Sequence, residues 1–341
     1  MKVLVTGGGG FLGCHIVELL QKRGISVRAI GRRKQPVLEA RGVEFIRGDI
    51  SFKDDIDEAV RGVDVVFHVA GRAKMDMNYS AYYNTHVIGT RNVVNACKQY
   101  GVQKLIFTST PAVVFDGKDL SGADESLPYQ PRYHWYYTQT KALAEKYVLD
   151  NNSPEFKTVA LRPHLLLGEG DPHLMPKILK LVETGKLRIV GEGVNRVDIT
   201  FVSNAAHAHL LAFDALESGK ACGKAYFIGQ EKPIVLWEFI NAIFEKLGLP
   251  AIDRKISFRR AYYWGMLSET FHKFFFRRRP PIMTRALAVA LSKDHYFSHD
   301  RAREDLGYMP QITIEEGLDE LVHLLRLQMR MSGFGARSCS V

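Results

Sequence analysis

Two rhythms of apolar positions alternate along this chain. "KVLVT" (2–6), "SVRAI" (26–30), "GVEFIRGDI" (42–50), "VDVVFHVAG" (63–71), "VQKLIFTST" (102–110) and "KTVALRP" (157–163) are short, largely apolar runs. Runs of this kind predict strands buried on both faces. Between them lie "CHIVELLQKRG" (14–24), "DDIDEAVRG" (54–62), "HVIGTRNVVNACKQYG" (86–101) and "TKALAEKYVLDN" (140–151). These carry apolar residues at helical spacing: Ile16, Val17, Leu19 and Leu20 form one stripe, and Gly24 stops it. Strands alternating with helices predict an α/β fold, a Rossmann-type doubly wound parallel sheet. Residues 1–165 are assigned to a dinucleotide-binding domain, with 199–228 returning to it through "FVSNAAHAHLLAFDAL". Residues 166–198 and 229–341 are expected to form a smaller substrate-binding cap over the carboxyl ends of the strands. The stretch from Gly229 onward reads as irregular, aromatic and basic.

Composition narrows the classes. Of 341 residues 46% are hydrophobic, enough for a substantial core. Cys14, Cys97, Cys222 and Cys339 are scattered without a C-x-x-C pair, which fits reduced thiols better than a zinc site or a disulfide framework. "MKVLV" starts like a signal peptide, but glycines interrupt it before an apolar region of useful length. No apolar stretch approaches the length of a membrane span. A cytoplasmic protein with at most peripheral membrane contact is expected. The formal charge of +9 suits anionic cofactors or surfaces. No nucleic-acid motif accompanies it, so no nucleic-acid partner is expected.

The loop after the first strand reads "VTGGGGFLG". Gly8, Gly10 and Gly13 match G-x-G-x-x-G; Gly7, Gly10 and Gly13 match G-x-x-G-x-x-G. Either spacing, between strand and helix, lets the backbone around Phe11 and Leu12 approach a pyrophosphate at the helix N-terminus. An acid that would hold a ribose 2′-OH is expected about 20 residues on. The sequence there is "AIGRRK", with Arg32 and Arg33 in that place. A guanidinium suits a 2′-phosphate, so NADP(H) is expected ahead of NAD(H). Asp49 and Ile50, after the third strand, are candidates near the adenine. His68 and Ala70, in the "HVAG" turn, are candidates to pass under the cofactor.

Y-x-x-x-K occurs twice. Gly101 separates Tyr100 from Lys104 and ends a helix there, so that pair does not share a face. Tyr137 and Lys141 lie in an unbroken helical run, one turn apart on one face. A nearby ammonium is expected to lower the phenol's pKa and make it a usable acid or base. Thr108, Ser109 and Thr110 bring hydroxyls to the end of a strand, where such sheets bind ligands.

The glycine run, the "FTST" hydroxyls and the Tyr137–Lys141 pair together resemble the extended short-chain dehydrogenase/reductases. The resemblance continues through "VALRP", "VDITFV" and "EDLGYMPQITIEEGL", nearly the whole chain. Within that group it is similar to the 3β-hydroxysteroid dehydrogenase branch, in particular to bacterial reductases of olefin biosynthesis. The resemblance implies that Tyr137 protonates a substrate carbonyl and that Lys141 binds the nicotinamide ribose. Thr110, or Ser109 in its stead, would orient the carbonyl, and Pro163 would border the nicotinamide. It implies NADPH-dependent reduction of a ketone on a large apolar substrate, a 2-alkyl-3-oxoalkanoate. A homodimer and a complex with olefin-pathway enzymes are further expectations. The alternatives are a 3β-hydroxysteroid or sterol dehydrogenase, an NAD-dependent sugar-nucleotide epimerase or dehydratase, and a non-catalytic NADP-binding regulator.

One departure stands out. Where the family has N-V-x-G-T, this chain has "HVIGT", with His86 in place of an asparagine that supports a proton relay. His86 either substitutes in the relay or is an ordinary helix residue. His207 with His209, and His295 with His299, lack the context of a metal site, and no metal is expected. Finally, 259–281, "RRAYYWGMLSETFHKFFFRRRPP", is expected to form an apolar entrance for long acyl chains. Packing on the core and docking to a surface are the competing readings.

Overall fold

The computed structural model describes residues 1–73, 78–133, 135–172, 176, 187–275 and 283–332. The apolar runs form β1 (Lys2–Thr6), β2 (Ser26–Gly31), β3 (Glu44–Arg47), β4 (Val65–His68), β5 (Lys104–Thr108), β6 (Lys157–Pro163) and β7 (Lys224–Ile228). All pair in parallel, in the order β7-β6-β5-β4-β1-β2-β3. This is the doubly wound arrangement, and its order reverses between β1 and β4.

Alternation along β1 accounts for the two covered faces. Val3 and Val5 enter the core shared with α1 (Phe11–Lys22), whereas Leu4 enters the core on the other side. Helices α2 (Lys53–Val60), α3 (Gly89–Gln99) and α4 (Tyr136–Asp150) cover that second side. A long helix, α5 (Val202–Glu217), packs beside α1 on the first. Ahead of α3 the chain makes a π-helical turn, Asn84–Ile88. It carries the "HVI" that the sequence places in an ordinary helix.

The region after Gly229 is more regular than its sequence suggests. It forms α6 (Leu236–Leu247), α7 (Phe258–Phe275), the short α8 (Arg285–Ala290) and α9 (Ile314–Ser332). Trp237, Phe244, Leu321 and Leu325 share one core with Ile189, Val197 and Phe201. Its aromatic and basic residues hid a helical stripe, because several of them lie on the exposed side. Among the described residues, no helix is long and apolar enough to cross a membrane.

Candidate active site

The glycine loop is held by its own backbone. Gly7 has a left-handed φ of 69° and donates its N–H to the Ile30 carbonyl (2.9 Å), while Gly10 donates to the Gly7 carbonyl (2.8 Å). A Cβ on Gly13 would overlap that same Gly7 carbonyl, and one on Gly7 would stand 2.9 Å from Ala70 Cα. Gly7, Gly10 and Gly13 therefore form one close-packed unit at the switch point. Gly8 serves a different purpose: a Cβ there would meet Ala29 Cβ at 2.8 Å, so it lets the loop lie on β2. Gly10 caps α1 with no side chain in the way. The first-turn N–H groups of a helix have no intrahelical partner, and α1 begins directly at this loop. A loop packed too closely for a Cβ at Gly7, Gly8 or Gly13, leading into a helix N-terminus, fits a dinucleotide pyrophosphate.

The other cofactor candidates separate by exposure. Arg32 follows β2 directly, with its side chain 70% exposed and its guanidinium 4.0 Å from the Asp49 carboxylate. Asp49 also accepts from the Ser51 N–H and hydroxyl. Leu12 and Ile50 are buried in the core, Ile50 against Gly89, so any contact they make with a ligand is through backbone. His68 is fully buried, with Nδ1 2.8 Å from the Thr6 hydroxyl and Nε2 3.0 Å from the Thr90 hydroxyl. Burial first, then the Lys141 charge, pushes its pKa down to about 3. Its imidazole ties β1 and β4 to α3 rather than facing a cofactor. Ala70 adjoins Gly7, and Pro163 closes β6, buried.

At the carboxyl end of β5 the three hydroxyls diverge. Thr108 Oγ1 lies 2.7 Å from His209 Nε2, on the α5 side. Ser109, 5% exposed, faces the Glu145 carboxylate, whose pKa it helps to lower. Thr110 Oγ1 accepts the Ala112 N–H (3.3 Å) and lies on the Tyr137 side, where it lowers the phenol's pKa. Of the two candidates for orienting a carbonyl, Thr110 therefore lies on the phenol's side and Ser109 does not.

Tyr137 is the second residue of α4 and is partly buried. Its ring meets Trp135 (5.0 Å), His86 (5.5 Å) and Tyr82 (6.3 Å). Desolvation pushes its pKa up to about 12 against the opposing effect of Thr110. The sequence expectation was the reverse; burial raises the phenol's pKa, and Lys141 turns elsewhere. Its ammonium donates to the Thr108 carbonyl (2.5 Å) and sits 4.1 Å over the Phe107 ring. Burial lowers the Lys141 pKa to about 7 despite the Glu145 charge one turn on. Tyr100 ends a helix instead, with Gly101 at φ 73° before β5, so the second Y-x-x-x-K does not form a pair.

Several residues here were missed by motif reading. Glu145 and Arg162, at 0% and 4% side-chain exposure, pair through two guanidinium nitrogens (2.6 and 3.0 Å). Tyr129 donates to Glu145 as well (2.7 Å). Tyr137, Lys141 and Glu145 recur every four residues, a signal that was available in the sequence. His86 accepts the Arg72 backbone N–H at Nε2 (2.9 Å). Nδ1 therefore carries the proton and donates to Thr140 Oγ1 (2.8 Å), which donates to the Tyr136 carbonyl (2.7 Å). Burial, and after it Lys141, pushes His86 down to about 2. With both nitrogens engaged, His86 braces the first turn of α4. His164, next to Pro163, lies 2.6 Å from His295 Nδ1, and His295 Nε2 donates to the Ala290 carbonyl (2.8 Å). That pair links the sheet end to the cap. Among the described residues no three metal-ligating side chains converge. Cys14, Cys97 and Cys222 are unpaired; Cys339 lies outside the described residues.

Residues 4–260 match the 3-beta hydroxysteroid dehydrogenase/isomerase family, well over half of the chain. The chain belongs to that family. A 2-alkyl-3-oxoalkanoate reductase of Stenotrophomonas maltophilia (strain K279a) is 44% identical over 325 residues, covering 94% of this chain and 98% of that protein. The sterol-4-alpha-carboxylate 3-dehydrogenase (decarboxylating) of Mus musculus is 36% identical, covering 94% and 90%. The structure of a Thermus thermophilus UDP-glucose 4-epimerase, a complex with NAD, superposes with a TM-score of 0.72 at 25% identity, covering 96% of this chain and 99% of that one. The family member described here is thus an NAD(P)-dependent oxidoreductase of the short-chain dehydrogenase/reductase class, acting on a small molecule.

The expected acyl entrance is corrected in part. Tyr263, Trp264, Met266, Leu267 and Phe271 are all exposed, so they do not line an interior passage. Among the described residues of that series, Tyr262 packs inward on the core formed with α6 and α9. The side chains from Lys273 and the chain through Pro281 lie outside the described residues.

Proposed function

We propose that this enzyme reduces the ketone of a 2-alkyl-3-oxoalkanoate to the 3-hydroxy acid, with NADPH as reductant. The observation that carries the reading is the placement of Tyr137, on the face of α4 that carries Lys141 and beside the end of β5, inside an aromatic surround of Trp135, His86 and Tyr82. In this reading a carbonyl oxygen accepts from the hydroxyls of both Thr110 and Tyr137. Tyr137 holds its proton at neutral pH and gives it up as negative charge develops on that oxygen. The bound dinucleotide supplies the hydride for the carbonyl carbon. Lys141, its pKa lowered by burial, would hold the nicotinamide ribose. The aromatic rings exclude water and favour an apolar chain. The substrate is taken from the 44% identical relative named for it.

Oxidation of a 3β-hydroxysteroid has support in the mouse relative's name. It asks Tyr137 to start as a base, and the upward shift of its pKa favours the acid role. In our reading Gly7, Gly10 and Gly13, with the Phe11 and Leu12 backbone, hold the pyrophosphate. Asp49 and the Ile50 backbone border the adenine, and the backbone at His68 and Ala70 and Pro163 line the nicotinamide side. Residues 166–198 and 229–341 act as the substrate cap over the 1–165 and 199–228 dinucleotide domain. A homodimer and contact with olefin-pathway enzymes accompany this reading.

Arg32, with Arg33, selects NADPH by meeting the 2′-phosphate. Losing one charge-assisted contact costs about 1.5–3 kcal/mol. Arg32→Ala should therefore raise the KM for NADPH by an order of magnitude or more and leave that for NADH almost unchanged. Equal kcat/KM for the two cofactors in the unmutated enzyme would overturn the cofactor assignment.

A further inference from the structure

The solvent side of α7 is more apolar than its packed side. With about 3.6 residues per turn, Met266, Tyr263, Leu267, Phe271 and Trp264 fall in one arc of about 160°. Their exposures are 38%, 59%, 65%, 52% and 49%. They are five of the fourteen large apolar residues exposed among the described residues, gathered on one helix, so this is a patch and not a scatter. The opposite side fixes how the helix sits. Ala261 is fully buried, Gly265 lies against the Thr284–Arg285 backbone, and Glu269 is tied to Arg285 (2.8 Å).

Charge decides what covers the patch. Arg259 and Arg260 lie in the same arc, exposed, at the N-terminal end of α7. Glu269, the helix's one acid, is on the packed side and neutralised by Arg285. Three more arginines, 277–279, follow in the sequence, and the whole chain is +9. Trp and Tyr beside Arg, with no acid among them, suit the boundary between headgroups and acyl chains of an anionic bilayer.

We propose that α7 docks this enzyme on an anionic phospholipid surface, lying in the interface plane with Tyr263, Trp264 and Leu267 inserted and Arg259 and Arg260 at the phosphates. The inference needs no particular substrate and stands apart from the reading of the active site.

The test is co-sedimentation of the full chain with vesicles of phosphatidylcholine alone or mixed with phosphatidylglycerol. Binding should require phosphatidylglycerol and weaken as salt is raised. Arg259→Gln/Arg260→Gln should lower partitioning about thirtyfold, the effect of two charges at an anionic surface. Trp264→Ser/Leu267→Ser should lower it about tenfold or more while leaving the melting temperature and turnover of a soluble ketone unchanged. Failure to bind phosphatidylglycerol vesicles, or equal binding by the Trp264→Ser/Leu267→Ser variant, would overturn the proposal. So would lipid-free self-association that Leu267→Ser abolishes, which would make a second copy the occupant.

Discussion

Thr110 and Ser109 are neighbours with the same chemistry and opposite surroundings. Thr110 acts on the pKa of Tyr137, whereas Ser109 acts on that of the buried Glu145. Removing the Thr110 hydroxyl should cost about a hundredfold in kcat, as loss of a donor to a developing oxyanion does. Thr110→Val and Ser109→Ala can be compared by steady-state kinetics, and Ser109→Ala should keep most of the rate. Equal losses would remove the distinction. The Glu145–Arg162 pair makes a separate prediction, about stability. Arg162 foremost holds the Glu145 carboxyl below its ordinary range against desolvation. A carboxyl lowered on folding stabilises fully above its unfolded pKa of about 4.3 and loses that contribution as pH falls through the lower folded value. Glu145→Gln leaves Arg162 charged, buried and without its ion partner, which costs about 3–5 kcal/mol at neutral pH. The difference in unfolding free energy between the two proteins should then shrink at low pH. A pH-independent gap in urea titrations would contradict the account.

At the scale of elements, the glycine loop and the π turn differ in how much the sequence reveals. "VTGGGGFLG" between an apolar strand and an apolar stripe points directly to a dinucleotide cradle, because only glycine tolerates its contacts. Gly13 is the sharpest case, since a Cβ there would overlap the Gly7 carbonyl. Gly13→Ala should therefore push α1 off the loop and weaken dinucleotide binding by at least an order of magnitude, measured by calorimetry, with a lowered melting temperature. Gly9, which faces the flexible Gln35 side chain, should tolerate alanine far better. The π turn at Asn84–Ile88 has no such signature. One extra residue in a turn leaves the apolar spacing almost unchanged, so "HVIGT" reads as plain helix. The same limit hid His86: the sequence gives its position relative to a family pattern, but not that Arg72 and Thr140 engage both its nitrogens. The cap was obscured for another reason. Its helices carry aromatics on the outside, and binary patterning assumes they lie inside.

At the scale of the whole molecule, β1–β6 and the Tyr137–Lys141 face were legible because each rests on local periodicity, and the parallel sheet because strands and helices alternate. The electrostatics of the site were not. A Lys one turn from a Tyr suggests a lowered phenol pKa, but tertiary burial and the Thr108 carbonyl redirect the ammonium. In the proposed function the site is an acid kept protonated by desolvation, at the carboxyl end of a parallel sheet and beside aromatic rings. Its central claim is that Tyr137 protonates the ketone of a 3-oxo acid as NADPH is consumed. The most direct measurement follows NADPH absorbance with a 2-alkyl-3-oxoalkanoate, for the unmutated enzyme and for Tyr137→Phe, with NADPH affinity measured in both. The account predicts rapid, substrate-dependent NADPH oxidation that yields the 3-hydroxy acid. It predicts a loss of about 10²–10⁴-fold in Tyr137→Phe with NADPH binding nearly intact. Undiminished turnover by Tyr137→Phe, or no NADPH oxidation with any 3-oxo acid, would contradict it.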